Sequence, residues 1–217
     1  QESSRWSLLR LNTFGHNVPC IDGAQQSVDG FAKFTKIVDG PEPSAEIDLS
    51  SLYPAARKVT RTCTLGKNRR AFYVHDVFEG LKPGAEVRWQ FIFKADADVE
   101  GDRLALAERG RMLGVYRKGT APTPWQVEPV EGPKPLNSPN PGFSRAFFTL
   151  AADADGRAVV DVAFALVETD VVIYGSSPAA LTAAIEARRH GKTAVIVCPE
   201  TRIGGLTTGG LGQTDIG

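Results

Sequence analysis

The chain has 217 residues, of which 42% are apolar and 23% charged, as in an ordinary globular protein. Its 25 basic residues balance its 25 acidic ones, so no net charge attracts it to nucleic acid or to an anionic membrane. No apolar run reaches the roughly 20 residues that a membrane-spanning helix needs. We therefore expect neither a nucleic-acid partner nor a membrane partner.

Residues 1 to about 166 carry the alternation that is typical of β-strands. In "EVRWQFIFKAD" the side chains of Trp89, Phe91 and Phe93 fall on one face of an extended segment. Other short β-rich runs follow, separated by breaks of Gly, Pro, Asn and Asp, and none has a sustained helical period. The proline-rich stretch 120–142 is predicted to be a long surface loop between two strands. This pattern predicts an antiparallel β-sandwich.

The pattern changes at Asp170. The run "DVVIYG" predicts a strand buried on both faces of a parallel sheet. A helix should follow, with Pro178 in its first turn and Gly191 at its C-terminal end, and "TAVIVCP" predicts a second buried strand. We predict a mostly β chain: a β-sandwich domain over residues 1–167, then a truncated Rossmann-like βαβ unit over 168–217.

The turn between the first strand and the helix has small residues where a dinucleotide would approach. Against the template G-x-G-x-x-G/A it places Gly175, Ser177 and Ala180. Bare backbone amides at a helix N-terminus attract a diphosphate, and large side chains would block it. Ser177 replaces the middle glycine, and its hydroxyl could bond a phosphate oxygen. At the end of the second strand the ribose-binding acid is replaced by Cys198, with Glu200 two positions later.

The segment "RIGGLTTGGLGQTDIG" completes a longer motif. From about Asp170 to Gly217 the chain resembles the FAD-dependent oxidoreductase family, which begins with strand, G-G-T-P-A-G, helix, strand, then I-G-G-x-T-S-G-G-L-G-x-T-D. The resemblance implies FAD, with its ADP half on the βαβ unit and the second glycine-rich loop near the pyrophosphate and the flavin. Taken together, the turn template and the resemblance give the following candidate cofactor-binding residues for the intact parent: Gly175, Ser176, Ser177, Pro178, Ala179, Ala180, Glu200, Gly204, Gly205, Thr208 and Gly209.

The stretch "RLNTFGHNVPCIDGAQQ" is the informative part of the β-rich region. It resembles the start of the C-terminal β-region of heparinase II/III-like polysaccharide lyases, where a motif like H-N-T-x-x-x-D-G-x-x-Q recurs. The matching residues are His16, Asn17, Asp22, Gly23 and Gln26. The resemblance implies a polysaccharide partner and a zinc ion bound by His16, whose companion ligands lie upstream of this chain. The alternative for His16 is a histidine hydrogen-bonded at a strand end.

The other candidate residues have structural interpretations. His75 is expected on a sheet surface, and His190 near the C-terminal end of the helix dipole. The three cysteines have no CxxC spacing; buried free thiols are favoured over a Cys20–Cys63 bridge. No catalytic residue can be nominated, because no tyrosine or histidine has a supporting constellation.

Three interpretations follow. The leading one is a fragment, inactive by itself, of a fused bacterial protein that joins a lyase β-domain to the start of an oxidoreductase; a periplasmic or secreted location is open for its parent. The second is a non-catalytic carbohydrate-binding or structural module with a passive βαβ tail, and with Trp6 or Trp125 as an aromatic platform. In the third, the β-rich part is an accessory domain of the oxidoreductase.

Overall fold

A computed structural model describes residues 5–109, 111–118, 123–132, 139–198 and 203–204. The chain divides into two compact units, Gln1–Val167 and Glu168–Gly217, each of which is described by itself. Strands make up 47% of the chain and helices 12%, which confirms the prediction of a mostly β chain with antiparallel sheets and a short βαβ-like tail. No described helix has the length and apolarity that crossing a bilayer requires.

The first unit is built from short strands. Its described strands are β1 (Cys20–Ile21), β2 (Lys33–Val38), β3 (Ser44–Asp48), β4 (Lys58–Leu65), β5 (Ala71–Glu79), β6 (Glu86–Phe93), β7 (Asp96–Glu100), β8 (Arg103–Glu108), β9 (Arg111–Lys118), β10 (Gln126–Pro129), β11 (Ser144–Ala151) and β12 (Ala158–Leu166). Short 3₁₀ helices cover Leu9–Leu11, Thr13–Gly15 and Ser50–Leu52.

These strands form two antiparallel sheets. The smaller sheet has the order β1-β6-β11-β10, and the larger one β2-β3-β4-β5-β12-β9-β8-β7. Because β12 lies between β5 and β9, the larger sheet joins strands that are distant in sequence. The sheet order is therefore set by long-range pairing and not only by consecutive hairpins.

Both sheets contribute to one apolar core. Trp89 of β6 stacks on Phe148 of β11 with ring centroids 5.8 Å apart. Phe91 of β6 contacts Phe164 of β12 edge to face at 5.2 Å, so the aromatic face of the smaller sheet packs on the larger one. Trp125 is 3% exposed and contacts Phe148. Its proposed role as a surface platform is therefore wrong.

The proline-rich stretch differs in part from its prediction. Residues 126–129 form β10, which pairs with β11 at the edge of the smaller sheet. An edge strand tolerates Pro129 because one side of its backbone needs no ladder hydrogen bonds. Residues 120–122 and 133–138 of this stretch lie outside the described part of the chain.

The second unit consists of β13 (Val171–Tyr174), helix α1 (Pro178–Arg189) and β14 (Ala194–Val197). The two strands are parallel, in the register Val171–Ala194 to Tyr174–Val197. Gly191, with φ of +71°, follows the helix and donates its N–H to the carbonyl of Arg188 at 3.0 Å. Val172 and Tyr174 are exposed, so the prediction that this strand is buried on both faces is wrong within the described unit, where one helix covers one face.

Candidate functional site

The turn after β13 depends on Gly175. Its φ is +126°, a conformation that L side chains rarely adopt, and its N–H donates to the carbonyl of Val197 at 2.9 Å. Among the residues that the structure describes, none lies within 4 Å of a Cβ atom built at this position. The turn therefore needs glycine for its backbone conformation, and no described residue occupies the space beside it.

Ser177 is the N-cap of α1. Its Oγ accepts the N–H of Ala180 at 3.3 Å, and its carbonyl accepts the same N–H at 3.0 Å and that of Leu181 at 3.3 Å. A hydroxyl group has one proton to donate and two lone pairs. After capping the helix, Ser177 thus retains an O–H that an anion can accept. Pro178, in the first turn, has no N–H to offer.

Two other small residues complete the turn. Ala180 is buried on the inner side of α1, where a larger side chain would push the helix off the strands. Gly204, with φ of +98°, donates its N–H to the carbonyl of Ser176 at 2.6 Å. This bond brings the start of the second glycine-rich segment against the turn. Glu200, Gly205, Thr208 and Gly209 lie outside the described residues.

The turn fits a diphosphate. Gly175, Ser176, Ser177 and Ala179 are small, and Ser177, Pro178 and Ala179 are exposed. The first turn of α1 has no acidic residue that would repel an anion. Cys198, half-buried just after β14, stands at the position of the usual ribose-binding acid, so the described residues around the turn offer a hydroxyl group that could bond a phosphate but no carboxylate for a ribose.

In the first unit, the loop that bears His16 is fixed through its backbone. The His16 N–H donates to the carbonyl of Thr13 at 3.2 Å, and the His16 carbonyl accepts Nε2 of Gln90 at 3.0 Å. The imidazole is exposed and has no hydrogen-bond partner among the residues that the structure describes. This differs from the alternative in which the ring itself is hydrogen-bonded at a strand end.

The other residues of the histidine motif have structural roles. Asn17 Oδ1 accepts the N–H of Ile92 at 2.8 Å. Asp22, with φ of +47°, precedes Gly23 in a left-handed turn, and its Oδ1 accepts the N–H of Glu86 at 2.8 Å. Of the motif, His16 alone directs its side chain to solvent without such a bond in the described structure.

Gln26 and Tyr53 extend this network. Gln26 Nε2 donates to the Tyr53 hydroxyl at 2.9 Å, and that hydroxyl donates to the carbonyl of Pro19 at 2.9 Å. Burial raises the pKa of Tyr53 well above its ordinary value, so the phenol stays protonated and can donate. The tyrosine therefore ties the motif to the core.

Behind the loop lies a buried ion pair. Asp76 is 1% exposed and accepts Nε and Nη2 of Arg61 at 2.7 and 2.6 Å. Arg61 Nη1 then donates to the carbonyl of Asn17 at 3.1 Å. Sequence reasoning missed Arg61 and Gln90. The available signal was a glutamine inside the apolar run "VRWQFIF".

The described residues do not support zinc. They contain no group of three or more His, Cys, Asp or Glu side chains that could hold a metal ion. His16 therefore has no companion ligand in this part of the chain. His75 lies on β5 with its Nδ1 2.7 Å from Asp161 Oδ1, and His190 caps the C-terminal end of α1.

The three cysteines are free thiols, as expected. Burial raises the pKa of Cys20 to about 11, and the charges of Arg88 and Arg145 oppose that rise. A buried thiol with so high a pKa is not a nucleophile near neutral pH.

Comparisons with known proteins give two kinds of likeness. Residues 170–217 match the family model "FAD dependent oxidoreductase". The solved structure of the heparan sulfate lyase HepC from Pedobacter heparinus is similar with a TM-score of 0.56 and 17% identity, over 70% of this chain and 24% of that one. A heparinase III structure gives 0.55 and 14%, over 72% and 24%. No curated protein matches.

These likenesses differ in what they establish. The chain spans about a quarter of the length of the two lyases, at an identity that shows the fold alone. The family match covers a short segment that includes Gly175, Ser177 and Gly204. Residues 170–217 are thus similar to the FAD-dependent oxidoreductases, and most of the chain has the β-fold of the heparan sulfate lyases.

Proposed function

We propose that this chain joins a heparinase II/III-like polysaccharide-lyase β-domain, residues 1–167, to the FAD-binding N-terminal unit of an FAD-dependent oxidoreductase, residues 168–217. The single observation that carries the second half is the conformation of Gly175. A positive φ with no described residue in the space beside it, directly before a helix, lets a diphosphate reach the start of α1. The family match over residues 170–217 supports the same conclusion.

The residues for FAD lie around the turn. Gly175 gives access, the Ser177 hydroxyl donates to a phosphate oxygen, and Ala180 keeps the helix close to the strands. Ser176, Pro178, Ala179 and Gly204 complete the contact surface, with Glu200, Gly205, Thr208 and Gly209 expected to extend it. Bound FAD supplies two-electron redox chemistry, while the chain binds and orients its ADP half.

The β-domain is proposed to face an acidic polysaccharide. The two similar lyases act on heparan sulfate or bear the name heparinase III, and the fold is shared. Removal of the proton next to a uronate carboxyl needs a base and a group that neutralises the carboxylate. Among the described residues, His16 is the residue of the motif whose side chain is exposed and makes no hydrogen bond, and we propose that its imidazole contacts the saccharide.

The FAD proposal is tested by following backbone amide signals of the whole chain by NMR while FAD is added. Shifts should concentrate at Gly175–Ala180 and should weaken in Gly175→Ala. Gly191→Ala is the matched control, because Gly191 also has a positive φ but lies at the other end of α1. Equal loss in both variants, or shifts spread over the β-rich unit, would refute the assignment.

One observation favours the carbohydrate-binding alternative. Tyr73 and Tyr116 are exposed on the outer face of the larger sheet, in register on either side of Ala163. A Cβ atom on Gly114 would meet the Tyr116 side chain at 2.5 to 2.7 Å, so this side chain lies over Gly114 on the sheet, and the guanidinium of Arg103 lies 6.0 Å from the ring centroid. Aromatic faces of this kind stack on sugar rings.

Oligosaccharide binding separates the two surfaces. With a heparan sulfate oligosaccharide, His16→Ala should weaken binding and Tyr116→Ala should leave it unchanged. The reverse result would favour the non-catalytic module and its tyrosine face. Calorimetry on the two variants and the unaltered chain is sufficient.

A further inference from the structure

We propose that Gln90 and Arg61 are positioning residues for His16. Gln90 bonds the carbonyl of His16 and Arg61 bonds that of Asn17. These bonds hold the imidazole of His16 at a fixed place at the edge of the smaller sheet. This inference rests on the proposed function in one respect, namely that the β-domain uses His16. The geometry and its test do not require saccharide binding.

Gln90 lies on the face of β6 that points away from the aromatic core. Its neighbours Trp89 and Phe91 pack inward, and residues 13–16 cover Gln90, which is 1% exposed. Its Nε2 donates to the carbonyl of His16 at 3.0 Å and lies 3.3 and 3.4 Å from those of Thr13 and Phe14. Thr13 O also accepts the His16 N–H and Phe14 O also accepts Nη2 of Arg145 at 2.7 Å, so within the described residues the His16 carbonyl is the one that depends on Gln90.

Asn17 extends the edge of the same sheet through its side chain. The backbone ladder between β1 and β6 contains only the pairs Cys20–Arg88 and Ile21–Val87. Further along β6 the N–H of Ile92 is bonded by Asn17 Oδ1 at 2.8 Å. The chain at 16–17 thus follows β6 without being a strand, which leaves the His16 side chain clear of the ladder.

Arg61, on β4 of the larger sheet, makes the second side-chain hydrogen bond to the loop. Asp76 fixes its guanidinium with two hydrogen bonds, and Nη1 reaches the carbonyl of Asn17 at 3.1 Å. The carbonyls of His16 and Asn17 are therefore both held by side chains from well-ordered strands. Since the His16 N–H is bonded as well, rotation about the backbone bonds of His16 would break at least one hydrogen bond.

This arrangement costs folding free energy, and core packing does not explain why the cost is accepted. Gln90 Oε1 is buried and has no hydrogen-bond partner in the described part of the chain. An apolar side chain of the same length would avoid burying that oxygen, and buried ion pairs such as Arg61–Asp76 seldom add stability over an apolar replacement. A requirement to fix the loop accounts for both features.

The test is the mobility of His16 in the whole chain, measured by NMR relaxation. In the unaltered chain its backbone order parameter should be about 0.85, and in Gln90→Met it should fall below roughly 0.6. The imidazole signal of His16 should shift, while those of His75 and His190 stay in place. Gln126→Met is the matched control, because Gln126 is exposed on β10 of the same sheet.

Two results would overturn the proposal: unchanged His16 order in Gln90→Met, or a mobile His16 in the unaltered chain. The second result needs no variant, so a folding failure of Gln90→Met does not block the test. Arg61→Lys, which retains a cation for Asp76 but loses the fork to Asn17, should loosen residues 16–17 to a smaller extent. Lost order with unchanged oligosaccharide binding would support positioning and refute the saccharide role of His16.

Discussion

Trp89 of the smaller sheet donates its indole N–H to Oδ2 of Asp76 in the larger sheet at 2.8 Å. This bond crosses the interface between the two sheets, and the same carboxylate holds Arg61 on its other side. Asp76 therefore neutralises a buried cation, satisfies a buried indole and anchors the support of the His16 loop. One carboxylate couples the core to the candidate site.

Asp76→Ala should destabilise the β-rich unit strongly. It leaves the largely buried guanidinium of Arg61 without its carboxylate, and breaking a buried ion pair by removing one partner typically costs about 3–5 kcal/mol. Urea unfolding followed by tryptophan fluorescence measures this unit, because Trp6, Trp89 and Trp125 all lie within it.

The matched control for Asp76 is Glu79→Ala on the same strand. Glu79 pairs with Arg57 at 3.2 Å, with both side chains substantially exposed, and exposed pairs are worth less than about 1 kcal/mol. Similar losses of stability in the two variants would contradict the role assigned to Asp76.

Local patterns predicted the parts of the fold that depend on neighbouring residues. The alternation of Trp89, Phe91 and Phe93 places their rings together in the structure, with centroids 6.0 and 5.6 Å apart. The helix from Pro178 to Arg189 follows from its proline start and its glycine stop. These features need only strand or helix geometry, so a single sequence carries them.

Features set by distant contacts could not be predicted in this way. Trp125 is buried because β10 joins the edge of the smaller sheet, although its proline-rich surroundings are typical of a loop. Arg61 meets Asn17 only after β4, β5 and the motif loop have assembled. Polar residues of this kind look like surface positions in a sequence, since their partners are 44 residues away.

Two variants of Ser177 distinguish its role as a helix cap from its proposed role in anion binding. Ser177→Ala removes the side-chain acceptor for the Ala180 N–H and should destabilise α1 by about 1 kcal/mol. Ser177→Asp restores the cap but places a negative charge where the diphosphate would lie. Hydrogen exchange of the α1 amides should therefore rise in Ser177→Ala and stay normal in Ser177→Asp.

The FAD titration should give a different order for the same variants. Ser177→Asp should lose the FAD-induced shifts at Gly175–Ala180 more completely than Ser177→Ala, because charge repulsion adds to the lost hydroxyl donor. If Ser177→Asp binds FAD as well as the unaltered chain does, the anion does not approach the start of α1.

Asp170 should make the second unit sensitive to acid. Its Oδ2 accepts the N–H and the hydroxyl of Thr193, both at 2.8 Å, which ties the start of β13 to that of β14. These hydrogen bonds lower the pKa of Asp170 below its ordinary 3.8. Its contribution to stability is therefore present above pH 3.8 and is lost as the pH falls through the lowered pKa.

The check for Asp170 is the exchange of the β14 amides as a function of pH. Protection should decline at the acid end in the unaltered chain, and Asp170→Asn should remove most of that pH dependence. Asp153→Asn serves as a control, since its carboxylate makes similar turn bonds in the other unit. If the β14 amides of Asp170→Asn lose protection at low pH as much as those of the unaltered chain, the effect belongs to another titrating group.

Cys20 should make the β-rich unit lose stability in alkali. Burial raises its pKa to about 11 from the ordinary 9.0, so the unfolded chain releases this proton first as the pH rises. The contribution of the neutral thiol is complete below pH 9 and is lost as the pH passes through 11. The loss should be about 3 kcal/mol, since the pKa rises from 9.0 to about 11 and one pKa unit corresponds to roughly 1.4 kcal/mol.

Cys20→Ala isolates this effect, because Tyr53 ionises at high pH in both proteins. The variant is less stable at neutral pH through the lost packing, but its free energy of unfolding should fall less between pH 9 and 11. Urea unfolding across that range gives the difference between the two slopes. Parallel slopes would mean that the Cys20 thiol is solvated in the folded chain.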